Sequence, residues 1–85
     1  MQQRIHRKLT EAFAPVELQV VDDSESHRGH AGYREGGKTH FNVIIRAEAF
    51  NGLSRVAAQR LVYSALKEEF DDGIHALALT VSGTE

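Results

Sequence analysis

Imidazole is the side chain in this sequence best suited to chemistry: five histidines occur in 85 residues, and there is no cysteine. His27 and His30 fall in a glycine-rich stretch, His40 begins an alternating segment, and His75 follows Gly73 where a helical pattern hands over to a strand. His6 belongs to a helical pattern, where a solvated or partly buried ring is the ordinary reading. His27-x-x-His30 is half of a zinc-binding spacing, but no predicted helix holds both rings on one face. Without cysteine the chain cannot form a disulfide, carry a thiol nucleophile or build a thiolate metal cage. For His75 the spacing leaves two readings open. One is a strand-end histidine bonded to nearby backbone. The other is a ligand presented from a rigid sheet edge, with a loop histidine such as His30 closing over it.

Other constellations are weaker. Gly32 to Thr39 reads G-x-x-x-x-G-K-T, the phosphate-binding spacing. That chemistry needs a helix after the loop, so that its N-terminal amides hold the phosphates. Here a strand pattern follows, and the match is read as a coincidence of a glycine-rich turn. No G-x-S-x-G elbow occurs, and Ser54 and Ser64 lie in or beside a helix with no activating partner in view. Glu68, Glu69, Asp71 and Asp72 crowd a helix C-terminus, where the dipole disfavours negative charge, and read as a solvated face or a docking patch for a basic partner. Nothing forms a convincing acid–base pair, and a non-enzymatic protein is expected.

The elements that must position these groups are few. A chain of 85 residues is expected to form one domain, residues 1–85, and a domain of that size buries only roughly 60% of its unfolded surface. Hydrophobic residues at 41% and charged residues at 26% are ordinary globular usage and argue against disorder. No apolar run approaches the ~20 residues of a membrane helix, and no secretion signal is evident. A membrane protein and a secreted disulfide scaffold are therefore not expected. The net charge of −2 counts modestly against a dedicated nucleic-acid binder.

Residues 2–14 carry Ile5, Leu9, Ala12 and Phe13 on one helical face, and Pro15 ends the helix. Val16 to Asp22 alternates, with Val16, Leu18 and Val20 inward. Residues 23–38 have no period and form a long loop. Thr39 to Ala47 is the second strand, with Phe41, Val43 and Ile45 inward. Glu48 to Leu53 is a turn or single helical turn, broken at Asn51-Gly52. Ser54 caps the main helix, Arg55 to about Asp71, whose buried stripe is Ala58, Leu61, Val62, Ala65, Leu66 and Phe70. Gly73 closes it, and Ile74 to Ser82 is the third strand, with Leu77, Leu79 and Val81 on one face. The first two strands should pair antiparallel and the last two, joined through a helical crossover, parallel. The expected fold is α+β, α-β-β-α-α-β, a mixed three-stranded sheet with helices on one face.

Five segments in register carry a resemblance: His30-Ala31; Thr39-His40-Phe41-Asn42-Val43; Ala49-Phe50-Asn51-Gly52-Leu53-Ser54; Gln59-Arg60-Leu61-Val62-Tyr63; and Gly73-Ile74-His75-Ala76-Leu77. In that order the chain, over residues 3–82, resembles the BolA family. The resemblance implies a type II KH-like fold and a monothiol glutaredoxin as partner. It also implies a [2Fe–2S] cluster shared between the two, with glutaredoxin and glutathione offering thiolates and the BolA-like protein nitrogen. His75 matches the family's histidine near the last strand, and His30 that of the variable loop, with His27 close by as the alternative. No cluster is expected on the isolated chain, which is expected to be a cytoplasmic monomer.

The family is also described as DNA-binding regulators. KH domains clamp backbone with a G-x-x-G loop, whereas the corresponding turn here, Asn51-Gly52-Leu53-Ser54, has one glycine. Arg4, Arg7 and Lys8 on the first helix and Arg55 and Arg60 on the main helix are the candidate phosphate contacts. A ring at position 75 enclosed within the molecule would exclude the ligand role.

Overall fold

The computed structural model describes residues 1–23 and 40–85. Helix α1 spans Gln2–Phe13, strand β1 Glu17–Asp22 and strand β2 His40–Arg46. A single 3-10 turn, Glu48–Phe50, leads to α2 (Arg55–Ala65), α3 (Lys67–Asp72) and β3 (Ala76–Ser82). The strand order is β1-β2-β3, antiparallel between the first pair and parallel between the second. This is the expected mixed α+β architecture.

Alternation decides which sheet face is covered. Phe41, Val43 and Ile45 of β2 are buried, and Leu77, Leu79 and Val81 of β3 are half-buried, while Ile44, Thr80 and Ser82 on the opposite face are exposed. Helix α1 lies against β1 and α2 against β3. Ile5 and Leu9 from α1 and Ala58, Val62 and Leu66 from the later helices complete the core. Full burial of a side chain of this kind contributes about 1.5–3 kcal/mol, so these few positions carry much of the stability of so small a domain.

Several sequence expectations need correction. Val16 is 67% exposed, because it precedes the first paired residue of β1 and no helix covers it. Ala12 is exposed as well: the last turn of α1 reaches its neighbours through Phe13, whose ring centroid lies 4.9 Å from that of Phe50. Ala14 leaves the helix in the left-handed region, φ 45°, rather than in extended geometry before Pro15. The main helix is interrupted at Leu66, φ −102° and ψ 16°, whose N–H contacts the carbonyls of Val62 and Tyr63 at 3.1 and 3.2 Å. Leu61 is exposed, since Ala58, Val62 and Leu66 follow the i, i+4, i+8 stripe and Leu61 lies at its margin. Position 69 continues that stripe, and Glu69 is completely buried.

Of the acidic end of α3 only Glu69 leaves the solvated face; Glu68, Asp71 and Asp72 are exposed as expected. Glu69 pairs with Arg4 at 2.8 Å and with Lys8 at 3.8 Å, Asp72 with Arg4 at 2.8 Å, and Glu68 with Lys8 at 3.3 Å. Arg4 and Lys8, expected as candidate phosphate contacts, are engaged within the molecule.

Candidate metal-ligand site

The residues that place His75 lie immediately before it. Gly73, at φ 149°, closes α3: its N–H points to the Phe70 carbonyl at 3.4 Å, and the N–H of Ile74 donates to the Glu69 carbonyl at 3.1 Å. These are the paired bonds of a Schellman closure. They use the Ile74 N–H in the helix cap, so the strand ladder cannot start there. Strand β3 begins at Ala76, and His75 stands just before it rather than within it. Ile74 is buried in the core, which anchors the residue ahead of His75 while the ring itself is exposed.

His40 is the first residue of β2 and sits opposite Ala76 in the parallel register. Its carbonyl accepts from the Asp23 N–H at 2.9 Å, so its backbone is held from the β1 side as well. The consequence is a pair of imidazoles at one end of the sheet. The His40 and His75 ring centroids are 5.7 Å apart, with planes inclined at 52°. His40 is half-buried and His75 exposed. Sequence reasoning placed both at strand starts but joined His75 to the loop, not to His40. The signal was present only in the relative register of two parallel strands, which local pattern does not encode.

His27, His30 and the Gly32–Thr39 match lie outside the described residues, and His30 is thus not brought to His75 by any described geometry. The flanks of that segment are placed: Asp23 and His40 are hydrogen-bonded to each other at the sheet end that carries His75. The residue after the phosphate-binding match opens a strand, so the helix that such chemistry needs is lacking there. Arg55 and Arg60 are exposed on α2. The turn before that helix holds Gly52 at φ +81°, and Ser54 Oγ accepts from the Ala57 N–H at 3.1 Å, the cap expected of it.

Chemically, an exposed imidazole on a fixed backbone can fill one coordination position of a borderline metal such as iron. Sulfur donors would have to come from elsewhere, because the chain has no cysteine. Among the described residues no group of three or more ligating side chains is gathered that could hold a metal ion by itself. The residues present fit a cluster as minority nitrogen donors.

Comparison with known proteins agrees with this fold. The BolA-like protein family model matches residues 9–85. The chloroplastic protein BOLA1 of Arabidopsis thaliana is 46% identical over 78 residues, covering 89% of this chain and 49% of that protein. This chain thus spans about half the length of that relative. The DNA-binding transcriptional regulator BolA of Escherichia coli is 40% identical, over 93% of this chain and 71% of its own. Among solved structures, the BolA domain of SufE1 from Arabidopsis thaliana superposes with a TM-score of 0.86 at 41% identity, covering 98% of this chain and 91% of that one. The chain belongs to the BolA family. None of its described helices is long and apolar enough to cross a membrane.

Proposed function

We propose that this protein is a non-enzymatic, cytoplasmic partner of a monothiol glutaredoxin, with which it shares a [2Fe–2S] cluster in iron–sulfur assembly, transfer or sensing. His75 is the fixed ligand, His30 the loop ligand, and the glutaredoxin and glutathione supply the sulfur donors. One observation carries the reading: the His75 ring is exposed at the sheet end, while the Gly73 closure and buried Ile74 fix its backbone. A group so placed can meet a second protein without rearrangement of the core. The cluster, when bound, supplies one-electron redox chemistry and transferable iron and sulfide. Histidine in place of thiolate raises the potential of such a centre. This chain's part is to present nitrogen, to orient it, and to dock.

The test is reconstitution. The protein is mixed with a monothiol glutaredoxin, glutathione, iron and sulfide, and the visible absorption of the complex is recorded. His75→Ala is expected to alter or abolish the heterodimer's cluster spectrum, and His30→Ala to alter it. An unchanged spectrum for His75→Ala removes the ligand role. A second reading, a DNA-binding regulator acting through α2, is favoured by the name of the Escherichia coli relative and by the exposure of Arg55 and Arg60.

A further inference from the structure

Strand β3 ends the sheet, and among the described residues nothing closes its outer edge. We propose that this edge pairs with the β3 edge of a second copy of the chain, antiparallel about a two-fold axis at Leu79, so that two three-stranded sheets become one. The product is a weak symmetric dimer in place of the monomer expected from the sequence.

The backbone shows the vacancy first. The Ser82 carbonyl accepts from the Ala47 N–H at 3.1 Å, and Ser82 is the register partner of Arg46. In a parallel ladder this turns the N–H and C=O groups of Ala76, Ala78, Thr80 and Ser82 toward β2, and those of Leu77, Leu79 and Val81 outward. Among the described residues none of these outward groups has a hydrogen-bond partner. The side chains agree. Phe41, Val43 and Ile45 of β2 are buried, whereas Leu77, Leu79 and Val81, on the same covered face, are only half-buried. A further strand beside β3 would satisfy the backbone and cover this row together. The opposite edge is built differently: β1 has Glu17 and Asp22 at its ends, and the Gln2 side chain donates to the Val20 carbonyl at 2.6 Å. Such charge discourages edge pairing, but Ala76–Ser82 contains no charge, proline or glycine.

Symmetry selects a second copy as the occupant. Leu79 is the middle of the outward row, so a two-fold rotation sets Leu79 opposite Leu79 and Leu77 opposite Val81 of the second copy, each pair exchanging both N–H···O=C bonds. The half-buried row then continues across the axis as aliphatic cross-strand pairs. On the other face Ala78 meets Thr80, both exposed, small and uncharged, so neither bulk nor like charge opposes the contact. An acidic or basic partner strand would find no counter-charge on β3. Area sets the strength. Paired strands alone fall short of the ~800 Å² per partner of a standard interface. Helix α2 packs on β3 and exposes Leu61 on one flank of its buried stripe and Val56 and Tyr63 on the other, so whichever flank borders the edge adds apolar surface. Dissociation in the micromolar range or weaker is expected. His75 lies beyond the paired stretch.

The experiment uses the whole chain without metal or glutaredoxin. Sedimentation equilibrium from micromolar to millimolar protein is expected to show monomer and dimer in exchange. In NMR spectra of the same series the amides of Leu77, Leu79 and Val81 should move first. Ala78→Lys with Thr80→Lys sets like charges opposite each other across the axis and should weaken association about tenfold. Ala78→Lys with Thr80→Glu sets opposite charges there and should restore it. Both pairs of substitutions stay on the exposed face, away from the core, and the wild-type concentration series needs no variant at all. A chain still monomeric at millimolar concentration, which would leave the edge to a strand of another protein, overturns the proposal. So does a dimer indifferent to both charge pairs, or one whose first shifts lie in α1 or β1. None of these outcomes depends on His75 or on whether a cluster forms with a glutaredoxin.

Discussion

Glu69 is the one charged side chain that the fold encloses completely among the described residues. Its Oε2 accepts from Arg4 Nη2 at 2.8 Å and Arg4 Nε at 3.1 Å; Oε1 has no hydrogen bond and faces Lys8 Nζ at 3.8 Å. The guanidinium of Arg4 is held above its ordinary value, first by its hydrogen bond to Asp72 and then by Glu69, against some desolvation. A base raised in this way contributes stability as long as the carboxylates it faces are ionised, and on the alkaline side loses it only in strong alkali. The carboxylate's position is costly without its partners, since an unpaired buried charge destabilises more than an apolar group of the same size. Arg4→Ala is therefore expected to lower the urea midpoint clearly, while Glu69→Met leaves it near wild type or raises it. The double variant should recover most of what Arg4→Ala loses. The reverse order, with Glu69→Met the more damaging, would mean that the pair itself stabilises the fold. In the sequence Glu69 reads as solvent-facing because it is charged, although it falls on the buried stripe with Ala58, Val62 and Leu66. Its burial depends on a helix 65 residues away, which no local pattern reveals.

The elements were legible where one periodicity governed a whole segment. β2 alternates Phe41, Val43, Ile45 inward, and its bounds and burial follow the sequence to within a residue. Helix α2 begins at the cap that Ser54 announced. The break at Leu66 was not legible, since no glycine or proline marks it; the chain turns there so that α3 can deliver Glu69 to α1. The juxtaposition of His40 and His75 was also hidden, because a crossover between parallel strands leaves their register to tertiary packing. Gly73 is the joint on which that juxtaposition rests. At φ 149° a side chain is strained, and Gly73→Ala should cost about 1–2 kcal/mol, read from denaturant unfolding. It should also shift the amide resonances of Ile74, His75 and Ala76 while leaving those of β1 in place. A variant as stable as wild type, with the His75 signals unmoved, would show that the closure does not set the ring.

At the scale of the whole molecule the question is where cations remain for an anionic partner. The chain carries 10 basic against 12 acidic residues. Arg4 and Lys8 are tied to Glu68, Glu69 and Asp72, so the α1 face offers less positive field than its composition suggests. Arg55 and Arg60 remain exposed on α2. Each phosphate neutralised contributes a slope of about −0.9 in log K against log salt, so contact through these two gives a slope near −2. Binding of that kind is expected in the non-specific range, with Kd roughly 10⁻⁴ to 10⁻⁶ M at physiological salt. Fluorescence anisotropy with a labelled duplex at several salt concentrations measures both quantities. Arg55→Ala and Arg60→Ala should each reduce the slope by about one. A slope of −5 or steeper, with tight sequence-selective binding that either substitution abolishes, would shift the balance to the DNA-binding reading. A shallow, weak isotherm leaves the exposed imidazole at the sheet end as the feature on which the proposed function rests.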